Sequence, residues 1–147
     1  MESNKINDFL NSWKDGIIKI GKIYVEGGNY KKSAEEFIAS HYLFDEESVL
    51  FKPTFTKDII FRNSKDLALS YFIKGNIDED NGFALKPWEK ILIDELNIIE
   101  KNELSIAMGT LKLKPVNLDK ITLIAFTFVL INRNDNFKIK IHHSSPI

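Results

Sequence analysis

Two of the three histidines in this chain of 147 residues stand side by side near its end, His142 and His143, and two serines follow them, Ser144 and Ser145. An imidazole can take or give a proton near neutral pH, and a hydroxyl can donate and accept at once, so small-molecule chemistry can use the combination. Before them, residues 137–141 alternate apolar and basic side chains, which predicts a half-buried strand. If the strand continues, His142 and Ser144 share one face, and His143 and Ser145 the other. Ile139 and Ile141 fall on the His143 side. Either the strand bulges near its end, or the face carrying Lys138 and Lys140 becomes a polar pocket by residue 142. Side chains two apart on a strand sit about 7 Å from one another, beyond the roughly 2.6–3.2 Å that a base and a nucleophile need. That spacing disfavours a serine nucleophile activated by His142. It favours a pocket in which both residues touch one small molecule.

Other chemistries find less support. Adjacent histidines on a strand diverge and cannot both bind one ion, and nothing in the spacing brings His41 to join either of them. No cysteine is present to form a disulfide or a thiolate site. The acidic run at 78–82, DEDNG, lacks the closing bidentate glutamate of a calcium loop and reads as a solvated segment. Basic and acidic residues are interspersed and the formal net charge is −1, which argues against nucleic acid or an anionic membrane as partner. The longest apolar run, Leu123–Ile131, is well short of the roughly 20 residues of a spanning helix. The N-terminal residues show no basic segment leading into an apolar run, so a cytoplasmic setting is expected.

The elements that must position these residues follow from periodicity. With 44% hydrophobic and 28% charged residues and eleven phenylalanines, the chain has core material for one domain, residues 1–147. Ile6, Phe9, Leu10, Trp13, Ile17, Ile20 and Tyr24 recur at helical spacing until Gly27 and Gly28 stop them. Asn29 can cap a second helix buried through Tyr30, Ala34, Phe37, Ile38, His41 and Tyr42. Residues 48–54 and 57–62 read as short strands. Residues 63–76 form a helix capped by Asn63 or Ser64 and stopped at Gly75. Strands are expected at Lys90–Asp94, Ser105–Leu113, Lys120–Asn132 and Phe137–Ser144, with turns at Pro115–Asp119 and Asn132–Asn136. Helices followed by antiparallel strands make an α+β fold, with helices on one face of a curved sheet and a cavity inside. Because LIAFTFVLI at 123–131 is apolar at both parities, its outer face calls for a second subunit, and a homodimer is expected.

Seven segments in order resemble one family: VLFKPT at 49–54, FR at 61–62, LALSYFIKGN at 67–76, EDNGFALKPW at 79–88, AMGTLKL at 107–113, FTFVL at 126–130 and KIKIHHSS at 138–145. Together they resemble the iota-class carbonic anhydrases. These carry a domain similar to the calcium/calmodulin-dependent kinase II association domain, within the NTF2-like (SnoaL-like) superfamily. The resemblance covers the chain from Trp13 onward. It implies an NTF2-like cone, a homodimer, and reversible hydration of carbon dioxide to bicarbonate without a metal, the alternative being a divalent ion such as Mn or Zn. Carried over by position, it marks Thr54 after FKP, Tyr71 in SYF, and His142 and Ser144 in HHSS. His142 would accept or shuttle the proton, Thr54 and Ser144 would position the attacking water, and Tyr71 would donate to a substrate oxygen. Phe51 and Phe72 would line a dry wall for an apolar gas. The chain departs from the family at its end, HHSSPI instead of HHSSLPY, in lacking an EYTFGY-like run before the last hairpin, and in having His41 where relatives carry an aromatic or small residue. A non-catalytic binding or association module on the same scaffold is the competing expectation.

Overall fold

The computed structural model describes residues 2–147, with side chains from Lys5 onward. Helix α1, Glu2–Val25, buries Ile6, Phe9, Leu10, Trp13, Ile17 and Ile20 along one stripe. Tyr24, expected on that stripe, is 44% exposed and meets the ring of Tyr30 edge-on. Gly27, with φ of 79°, turns the chain out of the helix, and the Gly28 amide donates to the Ile23 carbonyl at 2.8 Å. Helix α2, Tyr30–His41, starts where the Asn29 side chain accepts from the Lys32 amide. Helix α3, Lys65–Ile73, is capped by Ser64. Asn63 instead accepts from the Phe51 amide at 2.8 Å, tying this helix to the first strand. The chain leaves α3 at Lys74, left-handed at φ 56°, one residue before the expected glycine.

Five strands make one open sheet in the order β1-β5-β4-β3-β2: β1 Leu50–Lys52, β2 Trp88–Glu100, β3 Leu104–Pro115, β4 Thr122–Arg133 and β5 Asn136–Pro146. Only β1 pairs in parallel, with β5; the rest is antiparallel. Helices α1 and α2 pack on the inward face, where Phe9 and Trp13 meet Phe128. This is the expected α+β arrangement.

Two elements differ from expectation. Residues 57–62 form no strand. The amides of Lys57, Asp58 and Ile59 all donate to the Glu79 carboxylate, so this segment satisfies its backbone with a side chain and needs no ladder. Strand β2 runs to Glu100 rather than Asp94. It is the sheet's other edge and exposes most of its length, so acidic and amide side chains stand where a buried strand would carry apolar ones.

In β5 the register shifts: Val129 pairs with Ile141 and Leu130 with Ile139, leaving Lys140 as an extra residue. The bulge reverses the facing of everything after it. Phe137 and Ile139 point inward before it, His142 and Ser144 after it, while His143 is exposed. The conflict of parity in the sequence is resolved by this single inserted residue.

Candidate active site

Strand β5 carries His142 beside β1, where Phe51 is its direct partner, and beside β4, where Phe128 is. The imidazole stacks on Phe51 at 4.6 Å between ring centroids and meets the edge of Phe128 at 4.5 Å and Trp13 at 5.9 Å. Inside this aromatic box both ring nitrogens are engaged. Nδ1 lies 2.9 Å from the Tyr42 hydroxyl, and Nε2 lies 2.7 Å from Ser144 Oγ. Tyr42 in turn accepts from Trp13 Nε1–H at 3.1 Å.

The direct His142–Ser144 contact corrects the separation expected from strand spacing. That spacing describes Cβ positions, whereas an imidazole reaches along the strand and closes the gap. Burial, and next the charges of His143 and Lys52, hold His142 well below the ordinary 6.5. A ring that is fully buried, neutral and occupied at both nitrogens is poorly placed to store the water proton itself. Its contact with Ser144 gives it a different way to act.

Thr54 and Tyr71 come from other parts of the chain. Pro53 ends β1 and presents Thr54, which is buried. Tyr71, on α3, lies beside Thr54, accepts from the Phe55 amide at 3.2 Å and stacks on Phe83. Burial raises its pKa well above the ordinary value, and the Asp80 charge adds to the rise, so the phenol keeps its hydrogen. Phe51 links this pair to the other, with Tyr71 against one edge of its ring, His142 stacked on it, and Phe72 stacked as well. All six residues singled out from the sequence therefore belong to one connected cluster.

Four further groups were not foreseen. Trp13 and Tyr42 sat in helical stripes and read as core. Lys52, half-buried, donates to the Ser144 carbonyl at 2.9 Å and reaches the Thr54 carbonyl at 3.5 Å, tying the two hydroxyl-bearing segments together. The fourth is an ion pair. Arg62, fully buried, binds both carboxylate oxygens of Asp80 at 2.7 and 2.8 Å, and Ser70 donates to the same carboxylate at 2.6 Å. The guanidinium lies 5.9 Å from the centre of the Tyr71 ring. The acidic run 78–82 is thus not simply solvated, since Asp80 is interior and Glu79 organises residues 57–59. The signal was the lone arginine of FR in an otherwise apolar stretch.

A cavity of about 680 Å³ opens against Tyr71, Phe55, Phe83, Trp88 and Lys86. Of the six residues singled out from the sequence, Tyr71 alone lines it; Thr54, Phe51, Phe72, His142 and Ser144 do not. His41 is far from any such role: Nδ1 faces the Phe37 carbonyl at 3.0 Å and Nε2 the Ser12 hydroxyl at 2.9 Å. Among the described residues, no three His, Asp or Glu side chains converge as ligands for an ion.

The family model for metal-independent carbonic anhydrase matches residues 4–146. A metal-independent carbonic anhydrase of Nostoc sp. is 30% identical over 141 residues, covering 91% of this chain and 68% of that protein. The crystal structure of a cyanobacterial iota-carbonic anhydrase complexed with bicarbonate superposes with a TM-score of 0.91 at 28% identity, covering 97% of this chain and 90% of that one. Two more distant structures share the fold. A putative calcium/calmodulin-dependent protein kinase II association domain from Xanthomonas campestris has TM-score 0.71 at 16% identity, over 100% of this chain and 89% of that one. An NTF2-like protein from Pseudomonas putida has TM-score 0.66 at 8% identity, over 97% and 84%.

Proposed function

The chain belongs to the metal-independent carbonic anhydrase family and is an enzyme of the reversible hydration of carbon dioxide, and from that premise we propose that Thr54, Tyr71 and Ser144 bind the substrate oxygens with His142 behind Ser144. Hydration joins a water oxygen to the carbon, moves negative charge onto a carbon dioxide oxygen, and releases a proton. Hydroxyl donors held in place where that charge grows lower the barrier, and they do so most effectively in a site from which water is largely excluded. Tyr71 suits this task because burial keeps it a neutral donor. Phe51 and Phe72 supply the apolar wall against which an uncharged gas can rest.

The observation that carries the reading is the buried His142–Ser144 hydrogen bond of 2.7 Å in an aromatic box. The test is carbon dioxide hydration by stopped flow on chelator-treated protein. The treated wild type is expected to remain active. Thr54→Ala, Tyr71→Phe and Ser144→Ala are each expected to lose about 100- to 1000-fold in kcat, the range seen for single oxyanion donors. Full activity in Ser144→Ala, or loss of activity with the chelator alone, would overturn the assignment.

We further propose that the enzyme is a homodimer joined through the outer face of its sheet. Leu50, Ile141, Val129, Ile106 and Ile99 stand opposite one another in register across all five strands, on the face away from the helices. Leu50 and Ile99 are more than half exposed in the single chain.

A further inference from the structure

The hydrogen bonds on His142 belong to a chain of four side chains whose direction can be read from its far end. An indole nitrogen can only donate, so Trp13 Nε1–H gives its hydrogen to the Tyr42 oxygen. Tyr42 is 1% exposed, and its phenol has one hydrogen of its own to place. Among the described residues, the acceptor in reach is His142 Nδ1 at 2.9 Å. Were Nδ1 to carry the hydrogen instead, the phenol would receive two, and its own would be turned toward the rings of Phe44, Phe51 and Phe72. With the hydrogen on Nε2 it is the Ser144 hydroxyl that has a hydrogen left to place, and of the two hydroxyls only that of Ser144 has, on the site reading above, a substrate oxygen to receive it, whereas the Tyr42 hydrogen would face rings alone.

We propose that Trp13 and Tyr42 are positioning residues that hold His142 as the tautomer protonated on Nε2, which donates to Ser144 Oγ and leaves the serine hydrogen to be given to the substrate. This deepens the site reading above and rests on Ser144 facing substrate. The chain conveys orientation and not a proton. For a proton to travel from Ser144 through His142, Tyr42 would have to hand one onward, and Trp13 has nothing that accepts it. His142 then works as neither acid nor base in turnover. Ser144 becomes a fixed donor, matched to an oxygen that gains negative charge as bicarbonate forms and unable to accept from the attacking water along the same bond. The water proton is left to solvent.

The experiment is a long-range proton–nitrogen correlation spectrum of the full chain labelled with 15N-histidine, at neutral pH, with His41→Gln and His143→Gln proteins assigning the three rings. The expected result is a His142 whose Nε2 bears the hydrogen and whose Nδ1 does not. A ring protonated on Nδ1 alone, on both nitrogens, or averaging between tautomers would overturn the proposal, and this wild-type measurement depends on no core variant. Tyr42→Phe keeps the ring and removes the hydroxyl. It is expected to move the His142 Nδ1 resonance, which loses its hydrogen-bond donor, and to lower kcat about tenfold, the scale of one lost hydrogen bond, with little change in KM. A Tyr42→Phe protein whose Nδ1 resonance and kcat both match the wild type would equally sink it. Because the tautomer is read without turnover, a fully active Ser144→Ala protein and a reversed tautomer are separate failures, the first of the site and the second of the chain's direction.

Discussion

His142 illustrates how burial alone sets the behaviour of a single residue. Its folded-state pKa lies below 6.5, chiefly through loss of water, and that of His41 is lowered by the same cause. Below about pH 6.5 an unfolded chain protonates both rings while the folded chain does not, so unfolding takes up protons. Stability therefore rises with pH across this window and is lost as pH falls from about 6.5 toward the folded-state values. Urea midpoints measured from about pH 7.5 to about pH 5 should decline, and His142→Gln should flatten that slope. A midpoint that holds steady over this range in the wild type would contradict the burial argument. At the same scale, Ser144 stood out in the sequence because it follows the paired histidines, whereas Thr54 was marked only through the family resemblance, by its place after FKP. Tyr42 was not, since a tyrosine at the end of an apolar helical stripe gives no sign of where its hydroxyl points.

Among the elements, the helices were plain from their spacing, because α1 and α2 bury one face each and the 3.6-residue period survives in the sequence. The strands β3, β4 and β5 were legible for the same reason with a period of two. What stayed hidden was structure held by side chains instead of periodicity. The segment 57–62 looks like a strand and is a loop, since Glu79 and Arg62 supply the partners that a neighbouring strand otherwise would. Arg62 of this loop also lies 5.9 Å from the centre of the Tyr71 ring, so the Arg62–Asp80 pair packs beside that phenol. Asp80→Ala leaves a fully buried guanidinium without its main counter-charge and should destabilise the fold by about 3–5 kcal/mol in urea unfolding. The double replacement Arg62→Met with Asp80→Leu should cost much less, since it leaves no charge stranded. Equal losses in the two proteins would show that the pair matters for shape and not for charge.

For the whole molecule, the row of apolar side chains across the outer sheet face is the feature with the widest reach. A charge placed at its centre, Val129→Glu, should halve the mass measured by light scattering while leaving the inward face and its aromatic box untouched. An unchanged mass in that variant, or a wild type that is already monomeric, would remove the dimer. Activity retained in a monomeric Val129→Glu protein would further show that each subunit holds a complete site, as expected if Thr54, Tyr71, His142 and Ser144 all come from one chain. The bulge at Lys140 bears on how such a site withstands change. A strand with one supernumerary residue could lose it through a single deletion, and everything downstream would keep its place, since Ile139 already pairs with Leu130 and Ile141 with Val129. Taking Lys140 into the ladder would instead turn His142 and Ser144 outward and set Ile141 opposite Phe128, so the one unpaired residue is what aims the imidazole.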